Sequence, residues 1–194
     1  MPYEVRGGIG IRDAQLWPFA QAMHRLELAS FGAQLHEYSS ELKGSTLLDR
    51  KRFKFAAQAS PMAPEARRKH CRGFLTKGLE KKSPSREEFT AYGQACLEMA
   101  RGAFQLLRDH GAVLFASIIP RSVTKPDATH IDEFLRKDHV YLLERYFYFL
   151  ESKREHGLLV MDEVEKTADR KFVRQMEAYF IRTAPGQYRT TWVV

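Results

Sequence analysis

Asp162 and Glu163 stand side by side directly after the apolar run Leu158-Leu159-Val160-Met161. A carboxylate delivered at the tip of a buried strand is a candidate ligand for a hard cation. Mg²⁺ takes oxygen donors of this kind and supports phosphoryl transfer when several carboxylates converge on it. Neighbouring residues of an extended backbone point to opposite faces, so Asp162 alone is assigned both the catalytic and the metal-binding part. A second acid has to come from another element. Glu37 and Glu41 share a face in either helix or strand, and Glu41 is the candidate partner. The competing reading of Asp162 is a cap or turn residue that opens the next helix.

A second constellation is basic. Between Arg50 and Arg86 lie twelve Lys and Arg against only Glu65 and Glu80, a local excess larger than the whole chain's net +7. Clustered cations gain affinity for phosphate-rich partners by releasing counterions, which makes Arg67, Arg68, Lys69 and Arg72 the candidate nucleic-acid contacts. The alternative is an ordinary solvated helix surface. Phe53 and Phe55, interleaved with these cations, could stack on bases, but aromatics so placed more often anchor a short helix to a core, and that reading is preferred.

Other chemistries find little footing. The two cysteines, Cys71 and Cys96, make neither a disulfide framework nor a zinc site, and Cys96 lies on an apolar helical stripe as a small buried hydrophobe would. The histidines include no pair at zinc-ligand spacing. Gly8-x-Gly10 is followed by Asp13 where a dinucleotide loop has its third glycine. No Gly-x-Ser-x-Gly elbow and no phosphate loop of the Gly-Lys-Ser/Thr type occurs.

The elements that must position these residues follow from periodicity. Tyr3 to Ile11 reads as a strand, with a helix from about Trp17 that tolerates Pro18 in its first turn and stops at Gly32. Gln34 to Ser45 reads as strand and turn. Pro61 and Pro64 separate two short basic helices. Ser85-Arg86-Glu87-Glu88 has the form of a capping box, and behind it Phe89, Tyr92, Cys96, Met99, Ala103 and Leu106 recur every three or four residues up to Gly111. A buried strand from Ala112 to Ile119, stopped by Pro120, comes next. A long helix to about His156 then carries Leu143, Tyr146, Phe147 and Leu150 on its apolar face. The run Leu158–Met161 reads as another buried strand and the stretch with Phe172, Val173, Met176 and Phe180 as a helix. Tyr188 to Val194 reads as a last strand. Helices alternating with strands in this way call for an α/β fold with parallel strands. Ligands of such sheets gather beyond the carboxyl ends of the strands, where Asp162 would sit.

Gly157-Leu158-Leu159-Val160-Met161-Asp162-Glu163, the helix through Phe172-Val173-Arg174-Gln175-Met176 and the preceding Tyr141-Leu142-Leu143-Glu144-Arg145 resemble the second half of the DUF3800 proteins. The Gly7-Gly8 strand, the helix to Phe31 and Glu41-Leu42-Lys43-Gly44-Ser45 resemble their first half. The resemblance implies a ribonuclease H-like fold: a mixed sheet with flanking helices, here carrying a basic helical insertion at about 49–110. The family's Asp-Glu-Ser-Gly on the first strand and Gln-x-x-Asp on the last helix are both missing, since Gln175 is followed three places on by Ala178. The chain is therefore expected to be a single truncated domain over 1–194, an internal portion of a longer protein without the first strand and last helix. In ribonuclease H-like enzymes those elements supply carboxylates for two Mg²⁺ ions, so catalytic incompetence of the chain as it stands is expected too.

Two functions compete from this reading. One is a metal-dependent nuclease or phosphoryl-transfer domain acting on nucleic acid. The other is a non-catalytic nucleic-acid- or protein-binding module, phage- or defence-associated. A third, an unrelated small-molecule reaction, makes the charge incidental. No apolar run reaches bilayer length and the first residues do not read as a signal peptide, so no membrane partner and a cytoplasmic location are expected.

Overall fold

The computed structural model describes residues 3–122, 135–160 and 166–182. The chain forms two compact units, one of Ile11–Val113 and one of Met1–Gly10 with Leu114–Val194. It is mostly helical with a small antiparallel sheet, and so broadly α/β.

The helical unit contains α1 (Asp13–Phe31), a 3₁₀ turn (Leu35–Tyr38), α2 (Gly44–Leu47), α3 (Arg50–Ala56), α4 (Pro64–Leu79) and α5 (Arg86–Asp109). The basic stretch at 49–110 thus shares one unit with Ile11 to Leu48. The helix on which the others are laid is α5. It opens with the expected capping box: the Ser85 hydroxyl accepts from the Glu88 amide at 3.2 Å, and the Glu88 carboxylate accepts from the Ser85 amide at 2.6 Å. Two backbone donors that the helix cannot satisfy internally are thereby satisfied. The predicted stripe is the buried one, with Tyr92, Cys96 and Met99 closed off from solvent by α1, α3 and α4. From α4 comes a matching stripe spaced by four residues, Arg67, Cys71 and Leu75.

Two features of this unit depart from the periodicity. Helix α1 begins at Asp13 rather than Trp17, so Pro18 lies inside it and forfeits the hydrogen bond that would run to the Ala14 carbonyl. The predicted stop at Gly32 does occur, in the left-handed region at φ 74°, with its amide donating to the Leu28 carbonyl at 2.9 Å. The strand expected across Gln34–Ser45 is instead the 3₁₀ turn and the start of α2. The Glu27 side chain accepts from the Leu35 amide at 2.8 Å and Leu35 is buried, so local bonding and burial outweigh strand propensity there.

In the other unit, β1 (Tyr3–Gly10) pairs with β2 (Val113–Pro120), and α6 (Lys137–Lys153) packs against β1. Phe115 meets Tyr146 and Phe149 of α6 edge-on, both at 5.5 Å between centroids. The aromatic run of α6 is therefore packing surface on one side, while Tyr148 is exposed. Leu114 and Ile118 of β2 are exposed, so the strand expected to be buried is covered on one face only. The last described element is α7 (Lys166–Arg182), where Phe172 meets the His139 ring at 4.7 Å. Among the described residues no helix is long and apolar enough to cross a membrane.

The strand read at Leu158–Met161 is corrected over Leu158–Val160, Met161 lying outside the described residues. Residues 155–160 have no regular structure, and Leu158 and Val160 are 85% and 84% exposed. After α6 the chain turns at Arg154 in the left-handed region. Gly157 then lies close against Tyr146 and Leu150, leaving no room for a side chain. A strand is a relation between two backbones, and among the described residues none is paired with this one. The parallel sheet expected from element order is not what the described residues form; their sheet has two antiparallel strands. Tyr188–Val194 lies outside the described residues.

Gly93 marks a crossing where the backbones of α5 and α3 come close. A Cβ there would sit 2.6 Å from the Arg52 carbonyl oxygen and 2.9 Å from the Ala56 amide nitrogen, both backbone atoms of α3 that cannot swing aside. Gly93→Ala is expected to destabilise the protein by about 1–3 kcal/mol through overpacking. Gly78→Ala, with open space around it near the end of α4, should be neutral or stabilising by up to about 1 kcal/mol. Urea denaturation of both variants checks the opposite signs.

Candidate nucleic-acid interface

The basic stretch divides when it folds, because helix faces sort its residues by spacing. On α4 the positions 67, 71 and 75 face inward, which leaves Lys69 and Arg72 exposed and Arg68 half-buried beside Gly32. Arg67 is buried and ion-paired with Glu98 of α5. Of the four predicted contacts, then, Lys69 and Arg72 face solvent fully, Arg68 partly, and Arg67 serves the interior.

Two further cations are turned inward. The Arg52 guanidinium lies over the Tyr92 ring at 4.8 Å and the Phe74 ring at 5.6 Å. Its attraction to the ring faces lets a charge approach an aromatic core. Phe55 stacks on Phe89 at 4.9 Å, Phe89 meets Phe74 at 5.2 Å and Phe74 stacks on Tyr92 at 4.3 Å. Phe55 is accordingly an anchor, as preferred from the sequence, and not a platform for bases. Lys77 bonds Glu88 at 2.9 Å, and that bond holds the Glu88 carboxyl below its ordinary range.

What remains outside is a set of exposed cations: Arg50, Lys51 and Lys54 on α3, Lys69 and Arg72 on α4, and Lys81 after it. None is paired with a carboxylate among the described residues, whereas Lys82 pairs with Glu80 at 2.9 Å. Such groups can neutralise phosphates; they cannot cleave them. The two cysteines add no nucleophile. Burial pushes Cys71 up to about 12 and Cys96 up to about 11, which keeps both thiols protonated at neutral pH.

The acids meet differing fates. Glu41 is exposed and pairs with Lys43 at 2.8 Å on the loop before α2. Asp162 lies outside the described residues. Among the described residues no group of three His, Cys, Asp or Glu could hold a metal ion.

Sequence reasoning missed the most enclosed acid among the described residues, Asp138 in the first turn of α6. It is 2% exposed. One carboxylate oxygen accepts from Arg6 Nε at 2.9 Å and Arg136 Nη2 at 2.8 Å, the other from Arg136 Nε at 3.2 Å and the His139 amide at 3.1 Å. Glu4 accepts from the same two arginines at 2.8 and 3.3 Å. Four donors occupy the acceptor sites of Asp138, so it is a hub that ties β1 to α6 and has no lone pair to spare for a metal. The only sequence signal was an acid near a helix start, with nothing to point to Arg6 132 residues away.

Burial by itself would raise the Asp138 carboxyl, but the Arg6 hydrogen bond and the charges of Arg136 and His139 outweigh it and hold the group below its ordinary range. A carboxyl that titrates lower folded than unfolded stabilises fully above roughly pH 5, and the stabilisation is lost as pH falls through the folded value. Asp138→Asn should cost about 1–3 kcal/mol at pH 7, because two guanidinium groups lose their charged acceptor. The gap from the parent protein should narrow at pH 3.5. Urea unfolding at the two pH values decides it; an equal gap at both would show that the carboxylate charge is not what joins strand to helix.

No protein-family model, no curated protein and no solved structure matches this chain.

Proposed function

We propose that this chain binds nucleic acid through the exposed cations of α3 and α4. The observation that carries this reading is the division of the basic stretch. Arg52, Arg67 and Lys77 are engaged by rings or carboxylates, while Arg50, Lys51, Lys54, Lys69, Arg72 and Lys81 face solvent with no carboxylate paired to them among the described residues. Exposed cations with no carboxylate partner are the groups that gain most by neutralising the phosphates of a polyanion.

A finer version follows from the resemblance to the DUF3800 proteins: a portion of a ribonuclease H-like, Mg²⁺-dependent nuclease with Asp162 as a metal-bound catalytic acid. Its support is the set of sequence segments that resemble that family. Mg²⁺- or Mn²⁺-dependent cleavage of DNA or RNA by the protein completed with the family's two missing motifs, lost on Asp162→Asn, is its test, and binding without cleavage would leave the non-catalytic module.

Fluorescence polarisation with duplex DNA and with single-stranded RNA, over a series of salt concentrations, tests the binding itself. Affinity should fall steeply with salt. Replacing Lys69 and Arg72 by Gln should weaken binding to every sequence alike and make the log–log salt slope shallower by about 2, near one unit for each phosphate no longer neutralised. Affinity indifferent to salt, or unaffected by this pair of substitutions, would remove the proposal.

A further inference from the structure

Within the helical unit α5 also floors a cleft of about 800 Å³, inside the range of roughly 300–1,000 Å³ usual for small-molecule sites. Leu97, Glu98 and Arg101 line it from α5, Phe53 from α3, Leu26 from α1 and Arg67 from α4. The apolar members could cover a hydrophobic body, and the charged ones are unevenly satisfied. Arg67 is 9% exposed and pairs with Glu98, yet its Nε–H has no acceptor. A buried donor in that condition is uncommon in folded proteins and favours any arrangement that supplies an acceptor nearby. Arg101 lies one turn beyond Glu98, exposed and without a carboxylate partner among the described residues. Two guanidinium groups against one carboxylate leave the cleft one positive charge in excess.

We propose that this cleft binds a small organic anion, with its apolar body on Leu26, Phe53 and Leu97 and its single anionic head held by the Arg67–Arg101 pair. A flat polyanion suits such a site poorly, because phosphates would have to be buried against apolar walls. The exposed cations proposed to bind nucleic acid are other residues, so the two proposals stand or fall separately.

The test uses the full chain and two probes that share a ring system, 8-anilinonaphthalene-1-sulfonate and the uncharged N-phenyl-1-naphthylamine. Titrations followed by fluorescence and calorimetry should show one saturable site that prefers the sulfonate by about tenfold, the scale of one charged hydrogen bond. Arg101→Gln, at an exposed position, should reduce that preference to about twofold while leaving the uncharged probe unaffected and the urea midpoint unchanged. Ala57→Trp, which places a ring in the cleft from its exposed rim, should weaken both probes at an unchanged urea midpoint. Equal affinity for the two probes, no saturable site, or a sulfonate preference that survives Arg101→Gln would overturn the proposal. Displacement of the probe by duplex DNA would overturn it too, since the cleft would then belong to the nucleic-acid surface.

Discussion

Closing the apolar stripe of α5 from water is the constraint on which the helical unit depends. Tyr92, Cys96 and Met99 can be buried only if three other helices come within side-chain distance of one cylinder. Each approach has a local device. At Gly93 the missing side chain admits the backbone of α3, and at Gly102 it admits Leu26 of α1. At Cys71 and Ala95, small buried side chains let α4 and α5 pack together. Apolar burial contributes roughly 25 cal/mol per Å², so a stripe of this length outweighs the local cost of a proline within α1.

That same constraint sorts the charges. A helix with a cation on its buried stripe must either neutralise it or find something polarisable. Arg67 takes the first route with Glu98 and Arg52 the second with the Phe74–Tyr92 stack. The cations around those positions, Arg50, Lys51, Lys54, Lys69 and Arg72, are left outside, and surface charge there is a consequence of geometry as much as of composition. A count of Lys and Arg along the chain overstates the available positive surface for this reason.

The strand-bearing unit relies on a different balance. Two strands offer little apolar area, and here aromatic packing, Phe115 on Tyr146 and Phe149, is joined by a buried acid, Asp138, held by the part-exposed Arg6 and Arg136. A buried carboxylate is costly to leave unpaired, so the bond from Arg6 to Asp138 favours the packing of α6 on β1. The acid there is fully occupied, which separates burial from catalytic availability: Asp138 is enclosed but saturated, and Glu41 is open but paired on a loop.

The sequence by itself determined the local features. The capping box at Ser85, the three- and four-residue recurrence of α5, the helix stop at Gly32 and the anchoring of Phe55 all follow from residues within a few positions of one another, or from faces that helical spacing defines. Tertiary structure decided which cations turn inward, because the partners of Arg67 and Arg52 lie some twenty to forty residues away along the chain. It likewise decided that Leu158-Leu159-Val160 stays exposed, and unpaired among the described residues, despite its apolar composition. Apolar residues make a strand favourable to bury, but only a neighbouring backbone with free donors and acceptors makes it a strand. That neighbour is a property of the fold, carried by no short stretch of the chain.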